Sequence, residues 1–433
     1  MVSPLASTII APGTDLVMKE FSAASSVVSA MITSVYILGY AFGPLAIAPL
    51  SELYGRTILY NVCNLVFLVF NIGCAKANSL EALIAMRFFT GIAAACPVTI
   101  GAGSIADMIP HEKRGAAMAA WVIGPLLGPA IGPIAGVGAY VSGSIGWRWS
   151  FWVVSIAAGA SGLLILIGLR ESHAPTILES KTRTLQKNTG NASLTSALHS
   201  GKTPGEAFRF SLLRPVKMLL LSPIVLVLSL YLAILYGYIY LCITTFPRVF
   251  EQKYGFTRGG GGLANLGIGI GSLLGLFMLG AVSDRQVKAL TARYGGDPKP
   301  EYRLPGTIIG ALFVPAGLFW YGWTAEHKAH WILPIIGTGF LGGGMVIAFM
   351  ATSTYLVDTF TVYAASAMAA ATVCRSLLGA LLPLAGNDMY DELGVGWGTS
   401  VLGFISVVFI PVPFLLYRYG ERIRESKIFK VTF

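Results

Sequence analysis

Long apolar stretches separated by short polar connections run through almost the whole chain. A helix that crosses a membrane needs about 20 mostly apolar residues. Eleven segments meet this requirement: 28–50, 58–77, 83–107, 116–140, 149–169, 222–246, 263–283, 305–323, 331–353, 363–386 and 395–417. The pattern predicts an all-α polytopic membrane protein with eleven full spans.

The first twelve residues are apolar but too few to cross a membrane. They have neither a basic start nor a small-residue cleavage site, so they do not form a signal peptide. Two interpretations are a short re-entrant segment and the remnant of a first helix whose start is missing, and we favour the remnant. Five spans and this remnant then precede the longest connection, and six spans follow it, which predicts two six-helix bundles. The remnant is counted below as the first span, so that 28–50 is the second span and 116–140 is the fifth.

The longest connection is rich in Lys, Ser and Thr and has no sustained apolar period. We interpret it as a cytosolic linker that is partly disordered. The predicted division is an N-terminal bundle over 1–169, the linker over 170–221, a C-terminal bundle over 222–418 and a cytosolic tail over 419–433. With the C-terminus in the cytosol, cytosolic connections hold 21 Lys and Arg residues and outer connections hold 7. This bias predicts a cytosolic C-terminus.

Composition excludes several classes of protein. Hydrophobic residues make up 55% of the 433 residues and charged residues only 12%, with a mean hydropathy of +0.71. A soluble enzyme, a disordered chain and a secreted disulfide scaffold are therefore poor interpretations. The net charge of +10 is explained by the cytosolic connections, so we expect no nucleic acid partner.

The five scattered cysteines and the five histidines in polar connections predict no metal site. No phosphate-binding loop or dinucleotide motif is present, and we expect no cofactor.

Two arginines lie well inside predicted spans, Arg87 and Arg375. Each costs roughly 2.5–3.5 kcal/mol at a helix centre on insertion scales, so each should face protein or a water-filled cavity. No span carboxylate can pair with them. Main-chain carbonyls, the missing part of the first helix, or an anionic or carbonyl-bearing cargo could be partners. A purely structural, hydrogen-bonded arginine is the alternative for both.

Aromatic residues cluster on the seventh span. Aromatic side chains with sparse polar groups suit a flat, mostly apolar ligand. The candidates for lining a substrate cavity are Trp121, Tyr236, Tyr240, Asn265 and Tyr355. The alternative is ordinary helix packing or an interfacial belt.

Two similar motifs follow the second and the eighth spans. The first places Glu52 before Gly55 and Arg56, and the second places Asp284 before Arg285. Such a charged clasp can hold neighbouring helix ends together in one conformation and release them in another. A solvated helix end is the alternative, which the recurrence of the motif disfavours.

The fifth span carries three Gly-Pro pairs four residues apart. Gly124, Gly128 and Gly132 form a stripe along which another helix can approach closely. The prolines that follow them, including Pro129, remove main-chain donors and favour bending. The alternative is a device for packing and kinking without a role in coupling.

These motifs together resemble the major facilitator superfamily, and most closely its fungal drug:proton antiporter group with twelve spans. The resemblance covers the chain except its start and the linker. Glu52, Gly55 and Arg56 match the superfamily's first signature. This sequence departs from that signature at Ala48, Leu53 and Thr57. The other matching segments are Arg87-Phe88-Phe89-Thr90-Gly91, the Gly124–Pro133 run with Gly146-Trp147-Arg148-Trp149, Tyr363–Ala367 with Arg375, and Tyr417-Arg418-Tyr419-Gly420.

The resemblance implies the major facilitator fold and a secondary active transporter rather than an enzyme, with no catalytic residues. It associates the arginine that matches Arg87 with proton coupling. We expect proton-coupled efflux of a small lipophilic organic compound by a monomer in the lipid bilayer of the plasma membrane. Export of a polyamine is an alternative, disfavoured by the lack of span carboxylates. An integral-membrane transferase or a membrane sensor is an alternative of another class.

Overall fold

The protein is described from a computed structural model. The structure describes residues 2–23, 25–109, 120–125, 128–129, 131–133, 146–191, 193–197, 204–256, 264–294, 299–360 and 364–425. Within these ranges the regular structure is entirely helical. The predicted all-α class is therefore confirmed.

The N-terminal part begins with two short helices, α1 (Val2–Thr8) and α2 (Thr14–Glu20), joined by a 3₁₀ turn at Ala11–Gly13. Longer helices follow: α3 (Ser26–Tyr54), α4 (Arg56–Ala75), α5 (Leu80–Ala94), α6 (Cys96–Met108) and α7 (Arg148–Gly168). The predicted fifth span, 116–140, falls mostly outside the described residues, which are helical at 120–125, 128–129 and 131–133.

The C-terminal part repeats the pattern of long apolar helices. They are α10 (Pro223–Tyr254), α11 (Leu266–Tyr294), α12 (Leu304–Glu326), α13 (Ile332–Thr359), α14 (Ala364–Leu381), α15 (Gly386–Phe409) and α16 (Pro411–Glu425). Short 3₁₀ turns precede α12 at Pro300–Arg303 and α15 at Leu382–Ala385. α15 is broken at Gly394, whose φ of 73° lies in the left-handed region that glycine tolerates.

The described residues contain nine helical stretches long and apolar enough to cross a membrane. The ninth, Ser366–Arg424, contains the last predicted span and most of the one before it. With the fifth predicted span left aside, each predicted span has a helical counterpart.

The predicted span 83–107 corresponds to one membrane-length stretch, Leu80–Ile105, whose helix is interrupted once. α5 ends at Ala94 and α6 begins at Cys96. Pro97 lies in the first turn of α6, and its missing N–H cannot bond the carbonyl four residues earlier. This proline therefore divides the span.

Two helices lie within the linker, for which the sequence predicted partial disorder. They are α8 (Ala174–Thr189) and α9 (Pro204–Leu221). α8 buries none of its residues and ends at Gly190 in the left-handed conformation. A proline in its first turn and this glycine define its two ends. The search for an apolar period did not find α8, because a surface helix can form from local signals without a buried face.

Helices from the two parts of the chain pack against each other. α3 packs against α5 and also along α14, while α4 packs against α5 and α7. In the C-terminal part, α13 packs between α11 and α12, and α10 packs against α14. The contact between α3 and α14 therefore joins the part before the linker to the part after it.

Candidate functional site

Four tyrosines form the centre of the contact between the two parts of the chain. Tyr36 and Tyr40 lie on α3, and Tyr236 and Tyr240 lie on α10. A spacing of four residues places each pair on one face of its helix. The ring centroids are 5.6 Å apart in the first pair and 4.9 Å apart in the second. Tyr36, Tyr40 and Tyr240 belong to one buried cluster, with Tyr236 packed against it. We call these four residues the tyrosine cluster.

α1 supplies polar groups to the tyrosine cluster. The Tyr36 hydroxyl donates to the Ser3 carbonyl at 2.7 Å, and the Tyr40 hydroxyl lies 2.5 Å from Ser3 Oγ. The Ser7 and Tyr240 hydroxyls are 3.0 Å apart. Because Tyr240 belongs to α10, the Ser7 contact links the N-terminal segment directly to the C-terminal part.

Arg87 lies beside the tyrosine cluster and is 1% exposed. Its Nε donates to the Ile32 carbonyl at 2.7 Å, and its two terminal nitrogens donate to the carbonyls of Ala6 and Ser7 at 3.1 and 3.0 Å. Its guanidinium carbon is 4.9 Å from the centroid of the Tyr36 ring. The partners of this arginine are therefore main-chain oxygens and an aromatic face, and two of the oxygens belong to α1.

Arg375 also lies beside the tyrosine cluster, near the middle of α14, and is 8% exposed. Its guanidinium carbon is 5.0 Å from the centroid of the Tyr236 ring and 5.1 Å from that of Phe349. Its buried Nε has no hydrogen-bond partner among the described residues. Each of the two span arginines thus contacts one ring of the tyrosine cluster, but the two differ in how their donors are satisfied.

The glycine stripe of the fifth span faces α1. A Cβ at Gly128 would lie 2.5 Å from Pro4 Cβ, and one at Gly132 would lie 2.8 Å from the Leu5 carbonyl oxygen. Thr8 Oγ1 donates to the Pro129 carbonyl at 3.0 Å. Gly124 is partly exposed. Gly128 and Gly132 thus permit the main-chain contact that keeps α1 against Arg87 and the tyrosine cluster.

The other three cavity candidates lie away from the tyrosine cluster. Trp121 covers Gly101 and donates from Nε1 to the Pro97 carbonyl at 3.3 Å. Asn265 is buried just before α11. Tyr355 packs with Leu304 in a separate buried cluster. The structure therefore brings together Arg87, Arg375, Tyr236 and Tyr240.

The motif after the second span forms a clasp whose acidic partner lies outside the motif. Arg56 Nε lies 3.3 Å from Asp107 Oδ2 at the end of α6, and Arg56 Nη1 donates to Ser51 Oγ at 2.5 Å. Gly55 has a φ of 92°, a conformation that favours glycine. Glu52 lines a separate cleft with Arg214 of α9 and Ser366 of α14.

A carboxylate from beyond α7 caps the first turn of α4. Glu171 accepts hydrogen bonds from the main-chain N–H groups of Arg56 and Thr57 at 2.9 and 3.1 Å. Burial opposes its ionisation, but these donors and those of Ser172 and His173 hold the pKa of Glu171 below its usual value. Burial and then the charge of Arg56 lower the pKa of His173.

The C-terminal part contains an equivalent clasp built on Arg303. Arg303 Nε lies 3.3 Å from Asp358 Oδ2, and its Nη1 donates to Ser283 Oγ at 3.1 Å. Arg285, which the sequence motif singled out, is exposed, and the side chain of Asp284 lies outside the described residues. The same Ser-Arg-Asp arrangement therefore occurs once in each part of the chain.

Sequence reasoning missed several residues of these sites. Asp107, Arg303 and Asp358 lie at span ends, where a charge is ordinary. Tyr36 and Tyr40 lie in an apolar span, but their spacing of four residues, matched by Tyr236 and Tyr240, was an available signal. No group of three His, Cys, Asp or Glu residues that could hold a metal ion occurs within the described ranges.

A bundle of membrane-length helices with an enclosed aromatic centre, held between its two parts, defines a polytopic carrier. The sequence matches the family described as Major Facilitator Superfamily over residues 1–383. The chain belongs to the major facilitator superfamily, as the resemblance of its motifs implied. Members of this family are transporters rather than enzymes.

Similar proteins come from fungi. The chain is 57% identical to a protein named MFS-type transporter penM from Penicillium rubens, over 100% of this chain and 84% of that protein. It is 46% identical to a protein named efflux pump radE from Floropilus chiversii, over 99% of this chain and 79% of that protein. The structure also resembles the xylose transporter XylE from E. coli, with a TM-score of 0.69 and 15% identity over 96% of this chain and 94% of that one. This likeness shows the fold.

Proposed function

We propose that the chain exports a small lipophilic organic compound from a fungal-type cell, with proton entry as the energy source. The observation that carries the proposal is the tyrosine cluster, enclosed between α1 and α3 on one side and α10 and α14 on the other. Aromatic faces with a few hydroxyls suit a flat, mostly apolar cargo. The name efflux pump, given to one relative, agrees with export.

Alternating access requires the two parts of the chain to move relative to each other. We propose the bundles 1–169 and 222–418 as the moving bodies, with 170–221 as their cytosolic connection and 419–433 as a cytosolic tail. The cargo would bind where α3 and α14 meet. The clasps at Arg56 and Arg303 would hold the helix ends of each bundle together while the bundles rock.

Arg87 is proposed to couple cargo movement to proton entry through α1. Its guanidinium binds two α1 carbonyls, and α1 reaches Tyr240 of the second bundle through Ser7. A shift of Arg87 would therefore move α1 and change the contact between Ser7 and Tyr240. A polyamine cargo is disfavoured because a polycation would meet the two positive charges of Arg87 and Arg375.

Cells that lack their own exporters provide the test. The chain would be expressed in them, and retention of fluorescent aromatic compounds that are anionic, neutral or cationic would be measured. The proposal predicts lower retention of at least one lipophilic compound, and loss of this effect when a protonophore collapses the proton gradient. Retention equal to that of cells without the protein, across all compounds, would contradict it.

A further inference from the structure

The two span arginines differ in the state of their donors. All three nitrogens of Arg87 donate to main-chain carbonyls. Arg375 is almost as deeply buried, yet its Nε has no hydrogen-bond partner among the described residues. Buried polar groups in proteins are nearly always hydrogen-bonded, so an exception calls for a specific explanation.

The aromatic neighbours of Arg375 stabilise its charge but leave its Nε–H available. Tyr236 and Phe349 place their rings 5.0 and 5.1 Å from the guanidinium carbon, within the range of a cation–π contact. A ring face attracts the positive charge without providing an oxygen for an N–H group in the guanidinium plane. The Arg375 side chain is thus held in position while its Nε–H has no acceptor among the described residues.

The position of Arg375 indicates which kind of molecule could accept a hydrogen bond from it. Arg375 lies on α14, which packs along α3 of the other part of the chain, and its aromatic neighbour Tyr236 belongs to the tyrosine cluster. A planar guanidinium matches the two oxygens of a carboxylate in a bidentate pair. A molecule bound among these rings could place such a group against Arg375.

We propose that Arg375 binds an anionic oxygen group of the cargo, of the carboxylate type, while the tyrosine cluster binds the apolar ring system. The inference rests on the proposed export function and narrows its substrate class to lipophilic organic acids. Each nitrogen of Arg87 already donates to a main-chain carbonyl, so we assign the two arginines different roles. Arg87 holds α1, and Arg375 selects the cargo.

The test compares two probes that share a ring system and differ in charge, 1-naphthylacetate and 1-naphthylacetamide. Their binding to the purified full-length chain in lipid nanodiscs would be measured at pH 7. We expect the wild type to bind the acid about tenfold more tightly than the amide, because a charge-assisted bidentate pair forms only with the acid. In Arg375→Gln this preference should vanish, because the affinity for the acid falls to that for the amide.

A matched control removes an arginine far from the site. Arg183 lies on α8, and its side chain is 73% exposed. Arg183→Gln should keep the wild-type preference for the acid. Arg375→Lys retains the charge but loses the planar fork, so it should show a smaller preference than the wild type.

Equal affinity of the wild type for the two probes would overturn the inference, as would binding of neither probe or a preference that persists in Arg375→Gln. Where Arg375→Gln fails to fold, the comparison of Arg375→Lys with the wild type decides the matter, and a wild-type preference in Arg375→Lys would overturn the inference. Transport separates this inference from the proposed function. Equal export of both probes from cells would leave export standing and reject Arg375 as the acid receptor. Selective binding of the acid without any transport would leave the receptor standing and reject export.

Discussion

Arg87 holds three main-chain carbonyls from two helices at once. Ile32 belongs to α3, whereas Ala6 and Ser7 belong to α1. A buried guanidinium is tolerated at such a position because each of its nitrogens finds an oxygen. The sequence identified Arg87 from the cost of placing a charge in a span, but no spacing rule could name oxygens that lie 55 to 81 residues away along the chain.

Substitution of Arg87 separates a coupling role from a structural one. Lysine keeps the charge but concentrates its donors on one nitrogen, which cannot reach three diverging carbonyls. We expect Arg87→Lys to lower export about tenfold or more, and Arg87→Ala to be at least as severe because it leaves three acceptors unpaired. The measurement is export per molecule of transporter at the cell surface.

Arg183→Lys on the exposed face of α8 is the control for Arg87 and should export normally. Cargo binding by the Arg87 variants can survive, since binding and coupling need not share a residue. Near-normal export by both Arg87 variants would reject the coupling role.

At the scale of elements, α1 depends on the glycine stripe for its position. Gly128 and Gly132 meet the main chain of α1 at distances that leave no space for a side chain. The Gly-Pro spacing indicated a close approach from sequence alone. The identity of the approaching element could not be predicted, because many helices in a bundle could fit a small-residue stripe.

Gly128→Val should separate α1 from the fifth span. The new Cβ would fall 2.5 Å from Pro4 Cβ, and overpacking of this kind costs about 1–3 kcal/mol. We expect lost export with the protein still present in the membrane, measured as transport against surface abundance. Gly280→Val is the matched control, since a Cβ at Gly280 meets nothing within 4 Å. Full activity of Gly128→Val would contradict the packing role.

The cap of α4 should respond to pH through His173. Burial and the charge of Arg56 lower the pKa of His173 from its usual 6.5. The folded state therefore binds this proton less readily than the unfolded chain, and stability is lost as the pH falls below 6.5. The pKa of Glu171 is also lowered, from 4.5, so the carboxylate stays charged between pH 6.5 and 4.5.

Hydrogen exchange at the Arg56 and Thr57 amides measures this cap directly. After correction for intrinsic exchange, protection should be constant above pH 7 and decrease between pH 6.5 and 4.5. His173→Gln should remove the decrease in this window while Glu171 still accepts both amides. Protection that is independent of pH in the wild type would show that His173 plays no part in the cap.

At the scale of the whole molecule, the apolar pattern predicted the spans well because a bilayer requires about 20 apolar residues from each crossing helix. The break at Pro97 and the helices of the linker were less visible, since they depend on single residues at helix ends. The tyrosine cluster and the clasp partners depend on tertiary packing. Asp107 approaches Arg56 across 51 residues of sequence, a distance that pattern reasoning does not bridge.

The predicted orientation can be tested on intact cells. If the basic connections face the cytosol, a tag after Phe433 and a protease site introduced near Lys187 should both resist protease added outside. Lys187 lies in the last turn of the exposed helix α8, so the site is accessible from its own side of the membrane. Permeabilised cells provide the control, in which the Lys187 site should be cut. Cleavage at the Lys187 site in intact cells would contradict the predicted orientation.

The central claim is that cargo leaves as protons enter, and transport in proteoliposomes tests it most directly. The purified chain would be reconstituted with a lipophilic compound that it exports from cells, and protein-free liposomes would correct for passive leakage. The account predicts that an imposed proton gradient drives the compound against its own gradient, and that adding the compound starts proton movement in the opposite direction. Movement of the compound at the same rate with and without a proton gradient, and with no proton flux, would contradict the account.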